Sequence, residues 1–455
     1  ARGELHTNDQ PVENLFYATH FELVLPSDFT TWPEEAVQRA VLELVPERPG
    51  GGQTLVVKPI TGETPVEGIA ATCHTLRPPP MLHGLARSPE TLGDLADRFL
   101  ALGYDLRAAL VANLRAHIPS HGIPVEESKA LSVLMLQIPI YRNSPSDIER
   151  LELKAFVLYV GRGALGLALG AYIQHGQTYF TAAGILGDQG NSDWRGLPVD
   201  MAEVLMMNSP ERARLQSGIA SAGPPGTLVG AGALGSALLG IWGRSGWGVW
   251  SVIDNDHIRP HNLSRHTAHV QHIGFMKAKV AASLHASVTA RATPVNPIVG
   301  DASEFSDEFL SAATGSEIVV DASTALGYPR AASLRDDLPR HMSAFLTPSG
   351  QGAVLLAEDS ARTVRLLSLE AQYYRSLIQE PWGAHHLQGH LGQFWSGAGC
   401  RDVSAVIPYS AVLAHASTLS EQVRQVADSP EARILIWTRD TQTGTVSRHE
   451  VAVRL

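Results

Sequence analysis

The stretch Gly230-Ala-Gly232-Ala-Leu-Gly235 decides the fold of the second half of the chain. It follows a short apolar segment, Thr227–Val229, and precedes a helical pattern over Ser236–Trp242. In a strand–turn–helix unit of this kind, the first glycine permits a tight turn, the second lets backbone N–H groups approach a phosphate, and the third lets the helix pack on the strand. The spacing predicts a nucleotide site without naming the nucleotide, and a glycine turn without a ligand is the alternative.

The segments around this stretch alternate between strand and helix patterns. Gly248–Ile253 and Ile318–Asp321 have the composition of strands, and His272–Val288 has helical spacing. Such alternation predicts an α/β domain with a doubly wound, mainly parallel sheet. Near the C-terminus, Arg433–Trp437 and Val446–Val453 flank a Thr-Gln-Thr-Gly turn. This pattern predicts a hairpin that closes the domain.

The polar side chains that follow the glycines are of the types that bind a nucleoside triphosphate: Asp254, Asp256, Asn262, Arg265 and Lys277. Asp254 ends the second predicted strand, where a carboxylate can accept hydrogen bonds from ribose hydroxyls. Arg265 offers a fork to phosphate oxygens, and Lys277 offers a compact charge for the leaving pyrophosphate. Asn262 can orient a phosphoryl oxygen. A nicotinamide enzyme has no need of this cluster, so the set favours ATP.

In these motifs the sequence resembles the adenylating-enzyme family that includes ThiF, MoeB and the ubiquitin-activating E1 enzymes. The family pattern is GxGxxG, DxDxxxxxNLxRQ, GxxKA and a D-x-T-D-N turn, and the resemblance covers residues 226 to 330. It implies a Rossmann-like adenylation domain that uses ATP and Mg²⁺, with Asn262, Arg265 and Lys277 as catalytic residues. The implied reaction is attack by a carboxylate oxygen on the α-phosphorus of ATP, which yields an acyl-adenylate and pyrophosphate.

Two of the departures from the family pattern bear directly on the chemistry. The glutamine after Arg265 is His266, and the second aspartate of the D-x-T-D-N turn, the family's magnesium ligand, is Thr324. A hydroxyl binds Mg²⁺ weakly unless carboxylates assist it. We therefore predict that Asp321 or Asp256 takes over the metal. A domain that binds ATP without turning it over is the alternative.

Cys400 is the only cysteine of the second half of the chain and lies in Gly397-Ala-Gly-Cys400-Arg401-Asp402. Small residues let a bulky chain terminus approach, and Arg401 favours the thiolate over the thiol. The position of Cys400 after the adenylation core matches that of the thioester cysteine in E1-like enzymes, so we predict this role for it. A buried structural cysteine is the alternative. For Cys73, an E2-type cysteine of an E2–E1 fusion is one alternative.

Residues 1–220 are predicted to form an α+β domain ahead of the adenylation domain, residues 221–455. Asn208–Pro225 combines a charged helical piece with Gly, Pro, Ser and Ala and predicts the boundary. Ser88–Ile118 has helical spacing. Gly161-Arg-Gly163-Ala-Leu-Gly166 repeats the glycine spacing without the later motifs, so a strand–turn–strand and a degenerate adenylation half both stay open. The strand-length apolar segments are Phe16–Pro26, Thr54–Pro59, Leu131–Tyr141, Leu153–Val160 and Leu165–Ile173.

Composition makes several classes of partner and location poor candidates. The chain has 455 residues, of which 18% are charged and 44% hydrophobic, with a net charge of -10 and no polybasic block. Nucleic acid and an anionic membrane surface are therefore poor candidate partners. No uninterrupted apolar stretch reaches the roughly 18 to 20 residues that a membrane helix requires. The two cysteines cannot build a disulfide framework. We expect a soluble cytoplasmic protein.

Histidines cluster at two places, which are His266, His269 and His272, and His385, His386 and His390. The first group lacks thiol or carboxylate companions, so surface or loop histidines are favoured over a metal site. The second group precedes Cys400 and is a source of a base for the thiol. Arg212 and Arg214 lie just upstream of the nucleotide strand, where family members send an arginine across a dimer interface. The resemblance thus implies a homodimer.

The long first half and the Gly-Cys-Arg-Asp loop make the chain look like the larger E1-like proteins of bacterial ubiquitin-like conjugation operons, such as Bil-type or CBASS-associated antiphage systems. This resemblance implies that ATP adenylates the terminal glycine of a ubiquitin-like protein, that Cys400 receives it, and that an E2-like protein takes it away. The alternatives are a ThiF- or MoeB-like sulfur-carrier adenylyltransferase and a non-catalytic scaffold that binds a ubiquitin-like partner.

Overall fold

The structure is a computed structural model, and it describes residues 21–26, 29, 37–45, 53–60, 68–82, 88–126, 130–182, 192–289, 294–389, 391–395 and 403–454. These residues fall into two compact units, which lie within residues 1–207 and 208–455. The helix Pro210–Ser217 therefore belongs to the second unit, although the sequence boundary at residue 220 assigned it to the first. None of the helices within the described ranges combines the length and apolar character that crossing a bilayer requires.

The first unit is built on a sheet that closes on itself. Its described strands are β1 (Phe21–Leu25), β2 (Val37–Val45), β3 (Gln53–Pro59), β4 (Ile69–Leu76), β5 (Met81–Leu82), β6 (Ile123–Pro124), β7 (Leu131–Tyr141), β8 (Ile148–Gly161), β9 (Tyr172–His175), β10 (Thr178–Thr181) and β11 (Val199–Met206). The main sheet has the order β4-β2-β3-β1-β11-β8-β7-β5, and β4 also pairs with β7, which closes the sheet. β6, β10 and β9 form a separate three-stranded sheet.

One face of the closed sheet encloses a core without helices, and Cys73 belongs to it. Small and branched side chains from the seven strands of the closed ring fill this core, because alternate residues of each strand point to the same face. Cys73 is 1% exposed, and burial raises its pKa to about 12. A thiol protonated at neutral pH is a poor nucleophile. The structure therefore argues against the E2-type alternative for Cys73.

Three helices cover the other face of this sheet: α1 (Leu92–Ala101), α2 (Leu106–Ala116) and α3 (Arg162–Leu169). The sequence predicted one helical stretch over Ser88–Ile118, and the structure divides it into α1 and α2. Gly103 adopts a φ of 83° at the break, and the side chain of Asp105 caps the start of α2 by accepting a hydrogen bond from Ala108 N–H. A left-handed residue ends the first helix at this point.

The prediction of a strand over Leu165–Ile173 is wrong, because most of this segment is helix α3. Leu165 and Leu169 are one helical turn apart and both are buried, which is the spacing of a helix face. Gly166 packs against the ring of Tyr172, where an added Cβ would lie 2.1 Å from a ring carbon. Strand β8 thus leads into a helix at Gly161, and the strand–turn–strand interpretation does not hold.

The second unit contains an eight-stranded sheet and helices on both of its faces. The described strands of this unit are β12 (Pro225–Val229), β13 (Val249–Ile253), β14 (Asn296–Ile298), β15 (Ile318–Asp321), β16 (Arg340–Leu346), β17 (Gly352–Ala357), β18 (Gln393–Trp395), β19 (Val403–Ala405), β20 (Arg433–Arg439) and β21 (Val446–Val451). Of these, β18 and β19 pair with each other outside the eight-stranded sheet. Its helices are α4 (Pro210–Ser217), α5 (Ala233–Arg244), α6 (Lys277–Ala286), α7 (Asp307–Thr314), α8 (Gly327–Ala332), α9 (Leu366–Gln379) and α10 (Tyr409–Ala427).

The order of the main sheet is β14-β13-β12-β15-β16-β17-β20-β21. The first five strands are parallel, and the remaining pairings are antiparallel. Side chains of α5, α6 and α10 pack on one face, and those of α7, α8 and α9 pack on the other. The α/β, Rossmann-like, doubly wound prediction is confirmed. β20 and β21 form the predicted C-terminal hairpin.

The glycine turn lies where the order of the parallel strands reverses, since β12 pairs with β13 on one side and β15 on the other. The carboxyl ends of these three strands meet at one edge of the sheet, which is where open α/β sheets bind their ligands. The segments after these strands carry the nucleotide-site residues that the sequence predicted.

Candidate active site

The glycine turn between β12 and α5 has a geometry that only glycine satisfies at two of its positions. Gly230 has a φ of 89°, and a Cβ on it would lie 2.9 Å from the backbone of Ser323. A Cβ on Gly235 would lie 1.9 Å from the carbonyl oxygen of Gly230. Gly232, the residue before α5, has open space where its Cβ would be. This turn therefore leaves room for a ligand at the N-terminus of α5, as predicted.

The first turn of α5 presents backbone N–H groups at this opening. A helix leaves its first N–H groups without intrahelical partners, and their dipoles favour a negative charge. No side chain caps α5, because its N-cap is Gly232. The helix is 12 residues long and packs tightly on the sheet. The arrangement suits a phosphate group.

Asp254 follows β13 and binds the glycine turn directly. Its Oδ2 accepts a hydrogen bond from Ala231 N–H at 2.7 Å, and its Oδ1 accepts one from Asp256 N–H at 2.9 Å. Burial raises the pKa of Asp254, while these hydrogen bonds and the charge of Lys277 act in the opposite direction. The carboxylate thus holds the turn in place, and its contact with a ribose stays a prediction.

Asp256 and Lys277 form an ion pair beside this turn. Lys277 Nζ lies 2.5 Å from Asp256 Oδ2, and Lys277 N–H donates to the carbonyl oxygen of Asp256 at 2.9 Å. Burial opposes ionisation of Asp256, but the hydrogen bond and charge of Lys277 outweigh it and lower the pKa. An ammonium has three donors, so one bond to Asp256 leaves donors for phosphate oxygens.

Asn262 and Arg265 lie in the connection between β13 and α6. Asn262 is 9% exposed, and its Oδ1 accepts a hydrogen bond from Arg259 N–H at 2.9 Å, which stabilises the 3-10 turn Pro260–Ser264. Arg265 is half-buried, and burial lowers its pKa. Burial and the charges of Arg265, Arg259 and Lys277 together lower the pKa of His261. These three cations therefore all act on one histidine of this connection, whereas Asn262 Oδ1 is bonded to the backbone of Arg259.

Asp321, at the end of β15, is buried by its own chain. It is 2% exposed, and it accepts hydrogen bonds from Ser323 N–H at 3.1 Å, Ser323 Oγ at 2.6 Å and Ser343 Oγ at 3.0 Å. Burial raises its pKa to about 6 despite these bonds. Thr324, where the family has an aspartate, is exposed. Sequence reasoning missed the two serines.

The described residues do not fit the magnesium site that the sequence predicted. Mg²⁺ takes oxygen ligands in a near-octahedral arrangement and keeps several waters, so its protein ligands must be accessible. Asp321 is enclosed and bonded to hydroxyl groups, and Asp256 is paired with Lys277. Within the described ranges no three His, Cys, Asp or Glu side chains lie close enough together to hold a metal ion. The metal role of Asp321 and Asp256 is therefore without support here.

The described histidines do not form a metal site, and the base for the thiol stays a prediction because Cys400 lies outside the described residues. His269 N–H donates to His272 Nδ1 at 3.0 Å, whereas His266 turns away to the glycine turn, where its Nε2 lies 2.7 Å from the carbonyl oxygen of Ala231. His386 is buried against Tyr373 and Trp382. The interpretation of the first group as loop histidines agrees with these contacts, but sequence reasoning gave no role to His266.

Cys400 and His390 lie outside the described residues, so the predicted thioester site is a prediction from sequence only. The same holds for Arg401. Of the two arginines considered for a dimer interface, Arg214 donates to the carbonyl oxygen of Gly246 at 2.9 Å within its own chain, and Arg212 is exposed. The homodimer stays an expectation from the resemblance.

The parallel sheet and the glycine turn at the reversal of its strand order define a Rossmann-like α/β domain. More particularly, residues 226–327, which lie within the second unit, match the ThiF family. The family resemblance noted from the motifs is thereby confirmed. The Bil and CBASS comparison is a finer statement that this match does not reach.

Solved structures with a similar fold include two of E. coli MccB and one of PaaA. MccB with ATP is 15% identical to this chain with a TM-score of 0.36, and the alignment covers 50% of this chain and 63% of the MccB chain. MccB with AMPCPP and MccA is 14% identical with a TM-score of 0.35, and the alignment covers 50% of this chain and 63% of the MccB chain. PaaA is 16% identical with a TM-score of 0.35, and the alignment covers 50% of this chain and 72% of the PaaA chain. The chain thus spans less than two thirds of MccB. No curated protein matches it.

Proposed function

We propose that the second unit adenylates a carboxylate with ATP, and that this carboxylate is the C-terminal glycine of a ubiquitin-like protein. The observation that carries the proposal is the open N-terminus of α5 at the glycine turn, with Arg265 and Lys277 around the neighbouring connection. A dinucleotide site needs the turn but not these cations. A triphosphate needs both, because it spreads its charge over several phosphoryl groups.

The reaction forms a bond between a carboxylate oxygen and the α-phosphorus of ATP and breaks the bond from that phosphorus to the bridging oxygen of pyrophosphate. The protein's part is to position the two reactants and to stabilise charge. The N–H groups of α5 bind a phosphate, Arg265 binds phosphate oxygens as a fork, and Lys277 offsets the charge that builds on pyrophosphate. Asp256 holds the Lys277 ammonium in place.

Partner-dependent exchange of pyrophosphate into ATP tests this proposal. The full chain is incubated with labelled pyrophosphate, ATP and a candidate ubiquitin-like protein that ends in glycine. We expect exchange with the intact partner and none with a partner that lacks its terminal glycine. Exchange that proceeds equally with both partners would show that the site does not recognise the terminal glycine. Binding of ATP without any exchange of pyrophosphate would contradict the proposed adenylation activity.

The thioester step is the finer part of the proposal. Cys400, whose loop is rich in small residues, accepts the acyl group from the adenylate and releases AMP, and an E2-like protein then takes the acyl group by thiol exchange. A role in bacterial antiphage conjugation follows from the same resemblance. In this scheme the thiolate attacks the acyl carbon, and the bond from that carbon to the AMP oxygen breaks.

We expect the wild type to form an adduct with the ubiquitin-like protein that dithiothreitol removes, and Cys400→Ala to form none while retaining full pyrophosphate exchange. Cys73→Ala is the matched control, since this second cysteine is buried and its substitution should leave the adduct intact. The readout is a gel under non-reducing conditions. An adduct that persists in Cys400→Ala contradicts the thioester assignment.

A non-catalytic ubiquitin-like-binding scaffold is the second candidate, and one observation favours it. Asp321 is enclosed by serine hydroxyls, and Thr324 replaces the family's carboxylate. Such a domain would bind ATP and the partner without exchange under any metal condition. Titrating Mg²⁺ and Mn²⁺ in the exchange assay separates the two candidates, because a scaffold shows no pyrophosphate exchange at any metal concentration.

A further inference from the structure

Both backbone polar groups of Ala231, the residue between the first two glycines of the turn, are hydrogen-bonded. Ala231 N–H donates to Asp254 Oδ2 at 2.7 Å. The carbonyl oxygen of Ala231 lies 2.7 Å from His266 Nε2. Asp254 directly follows β13, and His266 lies further along the connection to α6. Two separate segments therefore form hydrogen bonds to the same residue of the turn. Both distances are those of strong hydrogen bonds.

The hydrogen bonds of His266 identify its tautomer. Ala268 N–H donates to His266 Nδ1 at 2.9 Å, so Nδ1 carries a lone pair and the ring proton is on Nε2. Nε2 is then the donor to the carbonyl oxygen of Ala231. His266 is 4% exposed, and both of its ring nitrogens are used. The imidazole thus joins the end of the 3-10 turn to the glycine turn.

The two hydrogen bonds to Ala231 restrain the turn, whose neighbouring residues Gly230 and Gly232 have high backbone freedom. Glycine has the largest backbone freedom of any residue, and a flexible turn loses that freedom when a ligand binds. The N–H groups of the turn and of the first residues of α5 must point at one place for a phosphate to bind them. Holding Ala231 at its N–H and at its carbonyl oxygen fixes the two peptide groups that flank it and so orients the turn before the ligand arrives.

We propose that His266 is a positioning residue of the nucleotide site, which acts with Asp254 to preorganise the glycine turn for a phosphate group. It does not touch the substrate. The inference rests on the proposed nucleotide binding of this unit and adds a residue that the phosphate-binding set lacked. His266 is also the position where this sequence departs from the glutamine of the family pattern.

The departure provides a matched pair of variants. A glutamine side chain carries an amide donor and a carbonyl acceptor, so it can replace both the Nε2–H donor and the Nδ1 acceptor of the imidazole. Methionine has a similar length and shape but offers neither hydrogen bond of comparable strength. His266→Gln and His266→Met therefore differ in hydrogen bonding more than in packing.

His415 provides the control for general destabilisation. It is 2% exposed, lies in α10, and its Nε2 binds the carbonyl oxygen of Gly350 at 3.0 Å. It is therefore another buried imidazole that binds a backbone carbonyl, in a part of the second unit that carries none of the predicted nucleotide-site residues. His415→Met should lower the melting temperature as His266→Met does, with no effect on nucleotide affinity.

The experiment measures ATP binding to the full chain by calorimetry, together with hydrogen exchange of the amides from residue 231 to residue 235. We expect His266→Met to raise the dissociation constant about tenfold or more and to speed exchange in the turn, because a buried carbonyl loses its donor. His266→Gln should stay within about threefold of the wild type. Equal affinity of His266→Met and the wild type overturns the proposal, as does an equal loss in His415→Met.

The remaining outcomes are also decisive. If His266→Met does not fold, His266→Ala with and without free imidazole gives the same comparison, and restored affinity on adding imidazole supports the proposal while its failure overturns it. ATP binding without pyrophosphate exchange by the wild type contradicts the adenylation activity and leaves the positioning role intact. Absence of ATP binding by the wild type overturns both.

Discussion

At the scale of single residues, the candidate site depends on how charges are paired before a ligand binds. Lys277 is 12% exposed and lies 2.5 Å from a carboxylate oxygen of Asp256. A compact ammonium held in this way is already ordered before a ligand binds, which lowers the cost of placing it against a phosphate. The pair therefore serves preorganisation more than stability, since Asp256 is partly exposed and water screens its charge.

Lys277→Ala should lower pyrophosphate exchange by about 100-fold, because a preorganised cation at a developing negative charge has an effect of that size. The measurement is the exchange rate at saturating ATP and partner. Lys279→Ala is the matched control, because Lys279 lies in the same helix and is exposed. It should remain within about twofold of the wild type. Equal losses in both variants would indicate a general effect of charge.

At the scale of elements, the strand–turn–helix unit of β12 and α5 owes its shape to a close approach of backbone to backbone. Gly235 lies in the first turn of α5, directly against the carbonyl oxygen of Gly230. The helix can start so close to the strand only without a Cβ at this position. The three tryptophans Trp242, Trp247 and Trp250 pack together behind the helix and hold it there.

We expect Gly235→Ala to destabilise the second unit by about 2 kcal/mol or more and to abolish ATP binding, because its Cβ would lie 1.9 Å from the Gly230 oxygen. Gly240→Ala in the same helix is the control. Its Cβ would meet only the end of the Arg244 side chain at 3.6 Å, so the better helix propensity of alanine should stabilise the protein by about 0.5–1 kcal/mol. Urea unfolding and calorimetry measure both. Unchanged ATP affinity in Gly235→Ala would contradict the expectation.

At the scale of the whole molecule, buried titratable groups make stability depend on pH. Burial lowers the pKa of His266 and of His341 to about 4, while burial raises that of Asp321 to about 6. The unfolded histidines bind protons near pH 6.5 and the folded ones near pH 4, so acidification between these values favours unfolding. The folded Asp321 binds its proton first, so its effect has the opposite sign.

The two histidines outweigh the single aspartate, so the free energy of unfolding of the second unit should fall by about 2 kcal/mol between pH 6.5 and pH 5. Urea unfolding at several pH values measures this slope. His266→Gln removes one of the two histidines and should make the slope clearly smaller. A stability that rises on acidification over this range would contradict the assignment of these histidines as neutral in the folded protein.

The first unit shows how far sequence patterns reach at this scale. Apolar runs predicted strands at Thr54–Pro59 and Leu131–Tyr141, where β3 and β7 are found. The closure of the sheet through the pairing of β4 with β7 was not predictable in this way, because strand pairing between distant segments leaves no local signal. The helix α3 was missed because its short apolar run, Leu165 to Leu169, fits a strand as well as a helix face.

The sequence by itself determined the class of the second unit, because its glycines, carboxylates and cations occur in an order and spacing that local backbone geometry requires. The ion pair of Asp256 with Lys277 and the hydrogen bond of His266 to the carbonyl oxygen of Ala231 became visible only in the folded protein. The same is true of the hydrogen bonds that Ser323 and Ser343 donate to Asp321. Apart from the bond between Asp321 and Ser323, which are two residues apart, these contacts join residues from different strands and connections. Their partners are chosen by the packing of the whole sheet, which no local pattern encodes.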